Sequence, residues 1–195
     1  MGDWQTIETA VAKVVVMGKF FIILGSDHST TIPVMRKVDK VITGSLGIIH
    51  IDAHFDLCDE MDGNRFAHGC TERRALDLKA VGGVENIYFL GIRSIESDEL
   101  AFFNANLVQM FSSKQIDQLG TAQVIETVVA TMAHFDHIYI TLDIDSLDPA
   151  YAAGTGTPQF GGLQARQLLA ILEGMFRLKV IGMDVVEVAP TWMPR

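Results

Sequence analysis

Apolar residues recur along this chain in two rhythms. Between Thr6 and Met17 they fall at helical spacing and stop at Gly18, after which Phe20 to Leu24 is a short apolar run without a polar interruption. Such a run predicts a buried strand, because a strand covered on both faces needs apolar side chains at successive positions. The two rhythms then alternate. Helices are expected over Thr31 to Val38, Thr71 to Ala80, Ser97 to Asn104, Ala122 to Ala133 and Gln164 to Arg177. Strands are expected over Leu46 to Ile51, Ile87 to Ile92, Leu107 to Phe111, Ile138 to Leu142 and Val180 to Val186. Strands that are apolar throughout, each leading into a helix, predict an α/β fold in which a mainly parallel sheet lies between two helical layers. The expectation is a three-layer α/β/α single domain spanning residues 1–195.

Composition narrows this picture. A chain of 195 residues with 49% apolar and 20% charged residues suits one hydrophobic core. The longest apolar stretch, Val14 to Gly25, is broken by Lys19 and is shorter than the roughly 20 residues of a membrane helix, so no membrane association is expected. Cys58 and Cys70 are too few for a disulfide framework and are read as plain thiols. With Asp3 and Glu8 in place of a basic leader, a cytoplasmic chain is expected. A net charge of -9 disfavours nucleic acid and anionic membranes as partners and suits a small cationic substrate.

Parallel sheets bind ligands beyond the carboxyl ends of their strands, and the unusual residues of this chain lie there. The first strand leads into Gly25-Ser26-Asp27-His28-Ser29, the second into Asp52-Ala53-His54-Phe55-Asp56, and the strand ending at Leu142 into Asp143-Ile144-Asp145. If the chain stays extended, alternation sends Asp52, His54 and Asp56 to one side, and Asp143 and Asp145 likewise. Each cluster alone reads as cap or turn chemistry. Together they bring two histidines and four carboxylates to one place, where the like charges repel at kcal/mol cost unless cations offset them. Oxygen and imidazole donors without thiolate favour a pair of manganese or similar ions over structural zinc, and such a pair holds a hydroxide at neutral pH. His50 is expected to pack inside the sheet, and His134 and His137 to lie in an exposed connection, none with a chemical role. The Gly154 to Gly162 loop is read as a tight turn.

These motifs resemble those of the ureohydrolase family of arginases, agmatinases and related amidinohydrolases. Besides the three clusters, the resemblance rests on Ser146-Leu147-Asp148-Pro149, Gly154-Thr155-Gly156-Thr157-Pro158 with Gly161-Gly162, and Asp184-Val185-Val186-Glu187, and it runs from Leu24 to Pro190. It implies that His28, Asp52, Asp56 and Asp143 hold one manganese and His54, Asp52, Asp143 and Asp145 the other. Asp52 and Asp143 then bridge the two. It further implies that Asp56 passes a proton from the bridging hydroxide to the departing amine, that His68 shuttles protons at the mouth, and that Glu187 pairs with the substrate guanidinium. The implied reaction is hydrolysis of a linear guanidino compound to urea and an amine, by a homo-oligomer.

The substrate side is read from departures. Arginases carry an Asn after the Asp-Ala-His-x-Asp motif, where this chain has Leu57-Cys58-Asp59-Glu60. Arg73-Arg74, Gly91-Ile92-Arg93-Ser94 and Asp184 to Pro190 are more similar to agmatinase-type members, and Asp59, Glu60 and Asp62 are expected to form an acidic mouth for the second positive charge of agmatine. The alternatives are arginase, guanidinobutyrase, guanidine hydrolase or formiminoglutamase activity, or a non-catalytic homologue acting as a subunit or binding partner. Ser26 stands where the family usually has glycine, which costs roughly 1–2 kcal/mol if that position needs positive φ. Family members are longer, so the chain is expected to be truncated at both ends relative to them.

Overall fold

The structure, a computed structural model, describes residues 2–192. Helix α1 (Gly2–Val16) leads to β1 (Phe21–Leu24), followed by α2 (Thr31–Val41), β2 (Leu46–Ile51), α3 (Thr71–Ala75), β3 (Ile87–Ile92) and α4 (Leu100–Ala105). Then come β4 (Gln109–Ser112), α5 (Ser113–Leu119), α6 (Thr121–Met132), β5 (His137–Asp143), α7 (Ala165–Met175) and β6 (Val180–Val186). The strands form one sheet in the order β1-β6-β5-β2-β3-β4, and every neighbouring pair is parallel.

Alternation along the strands divides the core into two layers. Ile49, Ile51, Ile138, Ile140 and Leu142 face α6 and α7, represented by Val128, Met132, Ile171 and Met175. Leu46, Ile48, Phe89 and Tyr139 face α1 and α2, where Val11, Val34, Met35 and Val38 pack against them. This is the three-layer α/β/α arrangement, and among the described residues no helix is long and apolar enough to cross a membrane.

The chain leaves β2 outward through β3 and β4, then returns to place β5 on the other flank of β2. Loops leaving β2 and β5 diverge, and that point is where such sheets open a crevice. Register fixes what stands in it. Leu46 pairs with His137 and the pairing continues one for one to Ile51 with Leu142, so Asp52 and Asp143 leave the sheet side by side. On the other flank of β5, Asp143 pairs with Val186, which delivers Glu187 to the same end.

Local departures from the expected elements have physical causes. The third helix ends at Ala75 because its last turn tightens, with Asp77 and Leu78 donating to the carbonyls of Arg74 and Ala75, three residues back. Helix α5 is an element that periodicity missed. It is started by a reciprocal cap in which Ser112 accepts from Gln115 N–H and the Gln115 side chain accepts from Ser112 N–H. Ser26 causes no strain, since among the described residues the non-glycine positions with positive φ are Asp56, Asp62 and Glu187. Its neighbour Gly25 is needed for another reason, as a Cβ there would sit 2.8 Å from a Val186 methyl.

Candidate active site

His28 is placed by the turn that follows β1. Asp27 accepts from Ser29 N–H and starts a short 3-10 turn, which rotates the His28 ring into the interior. There Nε2 lies 2.8 Å from Thr141 Oγ1, and Thr141 donates in turn to Asp184 at 2.7 Å. The buried Asp184 also accepts from Thr31 and Tyr139, both at 2.8 Å. Because the Thr141 proton goes to Asp184, the Thr141 oxygen accepts from His28 Nε2–H, and Nδ1 is left facing the carboxylates. Those are Asp56 at 2.9 Å, Asp52 at 3.1 Å and Asp143 at 3.4 Å.

The other donors arrive by turns and not by strand alternation. Sheet pairing ends at Ile51, and the backbone then bends so that His54 N–H donates to Asp52 Oδ1 at 2.7 Å. Asp143 closes the matching turn after β5 by accepting from Asp145 N–H at 2.8 Å, and Asp145 reaches across to accept from Ala53 N–H at 3.2 Å. His54 Nδ1 ends 3.2 Å from Asp145 and 3.4 Å from Asp52. The extended path expected for both segments is therefore absent, yet the carboxylates fold the chain into the same convergence, because each serves as the cap of its own turn.

Two of the residues singled out by resemblance hold strained backbone. Asp56 has φ 54, and its carbonyl accepts from the N–H groups of Glu72 and Arg73. Glu187 has φ 61, donates its N–H to Ser26 and accepts from His28 N–H at 2.8 Å through Oε1. A left-handed conformation at a non-glycine residue costs about 1–3 kcal/mol and persists where the surroundings fix it. Both residues line the cleft, as does the exposed His68 on its rim.

Electrostatics match the geometry. Burial opposes charge on His28, but the Asp56 charge and the close approach of the Asp143, Asp52 and Asp56 carboxylates outweigh it and hold the imidazole well above its ordinary range. His54 is pushed up to about 11, since its hydrogen bonds to Asp145 and Asp52 overcome the effect of burial. Burial and the Asp52 charge raise the carboxyls of Asp143 and Asp145. His28 Nδ1 and Asp52 Oδ2 are both buried without a hydrogen-bond partner. Ligand atoms of Asp52, His54 and Asp145 lie within 4.8 Å of one another, as do those of His28, His50 and Asp52, so Asp52 belongs to both groups that could hold a metal.

Several expectations need correction. Asp59 does not form an acidic mouth: its carboxylate is engaged by Arg74 at 2.7 Å, Arg65 at 3.3 Å and Arg73 at 3.5 Å, and neither it, Glu60 nor Asp62 lines the cleft. Besides Asp56 and Asp143, the acidic lining comes from Glu96, Glu99 and Glu187. Glu99 is buried with both oxygens used by the N–H groups of Leu57 and Glu96, whereas the Glu96 side chain is exposed. His50 is buried as expected, but it bonds Glu72 and the His54 carbonyl and stacks on His28. Arg93 has a bracing role that its motif does not reveal: its guanidinium donates to the carbonyls of Gly91, Asp145, Ser146, Leu147 and Gln159. Thr157, in the loop read as a simple turn, donates to Asp145 at 3.2 Å. The histidines at 134 and 137 lie outside the cleft.

Comparison with known proteins gives the following. A profile of the arginase family matches residues 4–195. The chain is similar to a guanidinobutyrase from Pseudomonas aeruginosa, 34% identical over 96% of this chain and 59% of that protein. It is similar to an agmatinase from Halalkalibacterium halodurans, 36% identical over 97% of this chain and 63% of that protein. The chain thus spans about three fifths of the length of these curated relatives. Its fold is similar to the crystal structure of arginase from Bacillus cereus, with a TM-score of 0.87 and 30% identity over 98% of this chain and 71% of that one.

Proposed function

The chain belongs to the arginase family, and from that premise we propose that it is an amidinohydrolase splitting an agmatine-like guanidino compound into urea and an amine. The observation that carries the reading is the gathering of six oxygen and nitrogen donors from three strand ends, with His28 Nδ1 and Asp52 Oδ2 facing each other unpartnered at 3.1 Å. Hydrogen bonding does not satisfy these atoms, and divalent cations fit them. His28, Asp52, Asp56 and Asp143 would hold one manganese, and His54, Asp52, Asp143 and Asp145 the other. Bound there, the cations supply the positive charge that ionises water at neutral pH, giving a nucleophile able to attack a resonance-stabilised guanidinium.

The remaining steps belong to the side chains. Glu187 has one oxygen committed to His28 N–H, which fixes the carboxylate at the cleft wall. Its other oxygen is left to pair with the guanidinium and hold it oriented for attack. Asp56 carries the proton to the departing amine, and His68, on the rim, exchanges protons with solvent. The exposed carboxylate of Glu96 offers a partner for a distal ammonium group and would repel a distal carboxylate. That supports agmatine over guanidinobutyrate. Buried free Cys58 and Cys70 suit a reducing cytoplasm, and the exposed apolar side chains of Ile22 and Leu24 on the sheet-edge strand β1 suit a homo-oligomer.

The test is to load the protein with manganese and measure urea released from agmatine, arginine, guanidinobutyrate and free guanidine. Agmatine is expected to turn over fastest. No urea from any of them would sink the enzymatic reading, and turnover of arginine alone would sink the substrate assignment.

A further inference from the structure

Beneath the cleft lies a buried pair that the proposed chemistry does not use. Glu72, in α3, is fully buried, and its Oε1 lies 3.1 Å from His50 Nδ1. The same imidazole, also fully buried, donates through Nε2 to the His54 carbonyl at 3.0 Å, and Nε2 lies 3.2 Å from Asp52 Oδ2. Its ring stacks on that of His28 with centroids 5.3 Å apart and planes 1° from parallel. One imidazole therefore touches the backbone or side chain of three residues in the donor set, and Glu72 grips that imidazole from the far side.

We propose that Glu72 and His50 form a positioning pair: Glu72, acting through His50, holds the Asp52–His54 turn and the Asp52 carboxylate in the geometry needed to bind cations. The inference rests on the reading of the site as a metal centre. The turn is closed twice, once by Asp52 accepting from His54 N–H and once by His50 donating to the carbonyl of the same residue. The first bond lies on the side of the donors. The second lies below it and depends on where the His50 ring is held. A packing role alone would be served better by apolar side chains, because a carboxylate buried under a sheet with its second oxygen unpartnered is costly to keep. Partners in this outer layer orient the residues that touch a metal and commonly change its affinity by 10- to 100-fold.

The experiment titrates manganese(II) calorimetrically into the full chain, its Glu72→Gln and His50→Gln variants, and the double variant, with thermal unfolding of each measured free of metal. Glu72→Gln keeps the size and removes the charge. His50→Gln keeps a donor for the His54 carbonyl and severs the link to Glu72. Each single change is expected to weaken manganese binding about 10- to 100-fold and to alter the electron paramagnetic resonance of the bound manganese. The double change should be no weaker than the weaker single one, because both act along one path. Unchanged affinity and spectrum in the singles would overturn the inference while leaving the metal centre intact. Losses that add in the double variant would overturn it as well. No manganese binding by the parent chain would overturn the metal reading and this inference together. Should one variant fail to fold, the other decides by the same measure of affinity.

Discussion

The two ends of the sheet hold side chains of different chemistry. At the amino end, Phe20, Phe21, Ile42, Val180 and Ile181 line a mostly apolar hollow whose polar side chains are Lys19 and His137. At the carboxyl end, one residue past Ile51 and Leu142, the interior becomes a knot of carboxylates and imidazoles, with two left-handed residues at its wall. Strand β2 is buried throughout and β5 at every residue after His137, so the same backbone runs from one environment to the other. The difference teaches that stability and chemistry are segregated along each strand. The apolar body supplies the folding free energy, and the polar end consumes part of it to hold repelling charges together.

Strand β5 lets this division be tested within a few residues. Replacing Asp143 by Asn should cost about 10⁴-fold in urea production, the scale seen when one member of a catalytic unit is removed. It should nevertheless raise the melting temperature of the cation-free protein. Burial and the Asp52 charge hold the Asp143 carboxyl well above its ordinary range, so the folded chain keeps a proton that the unfolded chain gives up. Stability then falls as pH rises from the ordinary carboxylate range toward the raised value, and Asp143→Asn should abolish that part of the slope. A variant that loses activity and melts lower at every pH would erase the distinction drawn here. Three residues earlier, Ile140→Ala removes a fully buried side chain from the apolar body. It should cost 2–5 kcal/mol of stability in denaturant titrations, while calorimetric manganese affinity stays unchanged. The smallest effect belongs to the cleft wall. Glu187→Gln should lower kcat/KM by roughly 30-fold, about 2 kcal/mol, with the denaturation midpoint hardly moved.

Much of this division was legible in the residues themselves. The strands announced themselves because β2, β3 and β5 are covered on both faces and need unbroken apolar runs. The Asp52, His54 and Asp143 clusters stood out because charge at the end of such a run has no packing rationale. The path of the chain through them was not legible. Alternation presumes an extended backbone, and a carboxylate that can cap its own turn removes that presumption, as Asp52 and Asp143 do. Helix α5 was missed although Ser112 and Gln115 stand at capping-box spacing, because a helix of one or two turns shows too little periodicity. Asp59 misled for a different reason. Its arginine partners at 65, 73 and 74 lie close in sequence, but nothing in their spacing says whether an acid will face solvent, substrate or a neighbouring cation. Glu72 and Glu96 gave no local signal, as their meaning depends on which loops the topology brings over the crevice.

The pairing of β2 with β5 acts as a ruler. Six consecutive one-to-one partners set Asp52 beside Asp143, and a slip of a single residue would part them by about 3.3 Å and turn each side chain to the opposite face. Insertions or deletions inside either strand are therefore forbidden in a way that changes in the long crossover between β4 and β5 are not. Variation in length among working versions of this architecture belongs in the crossovers, outside the measured stretch.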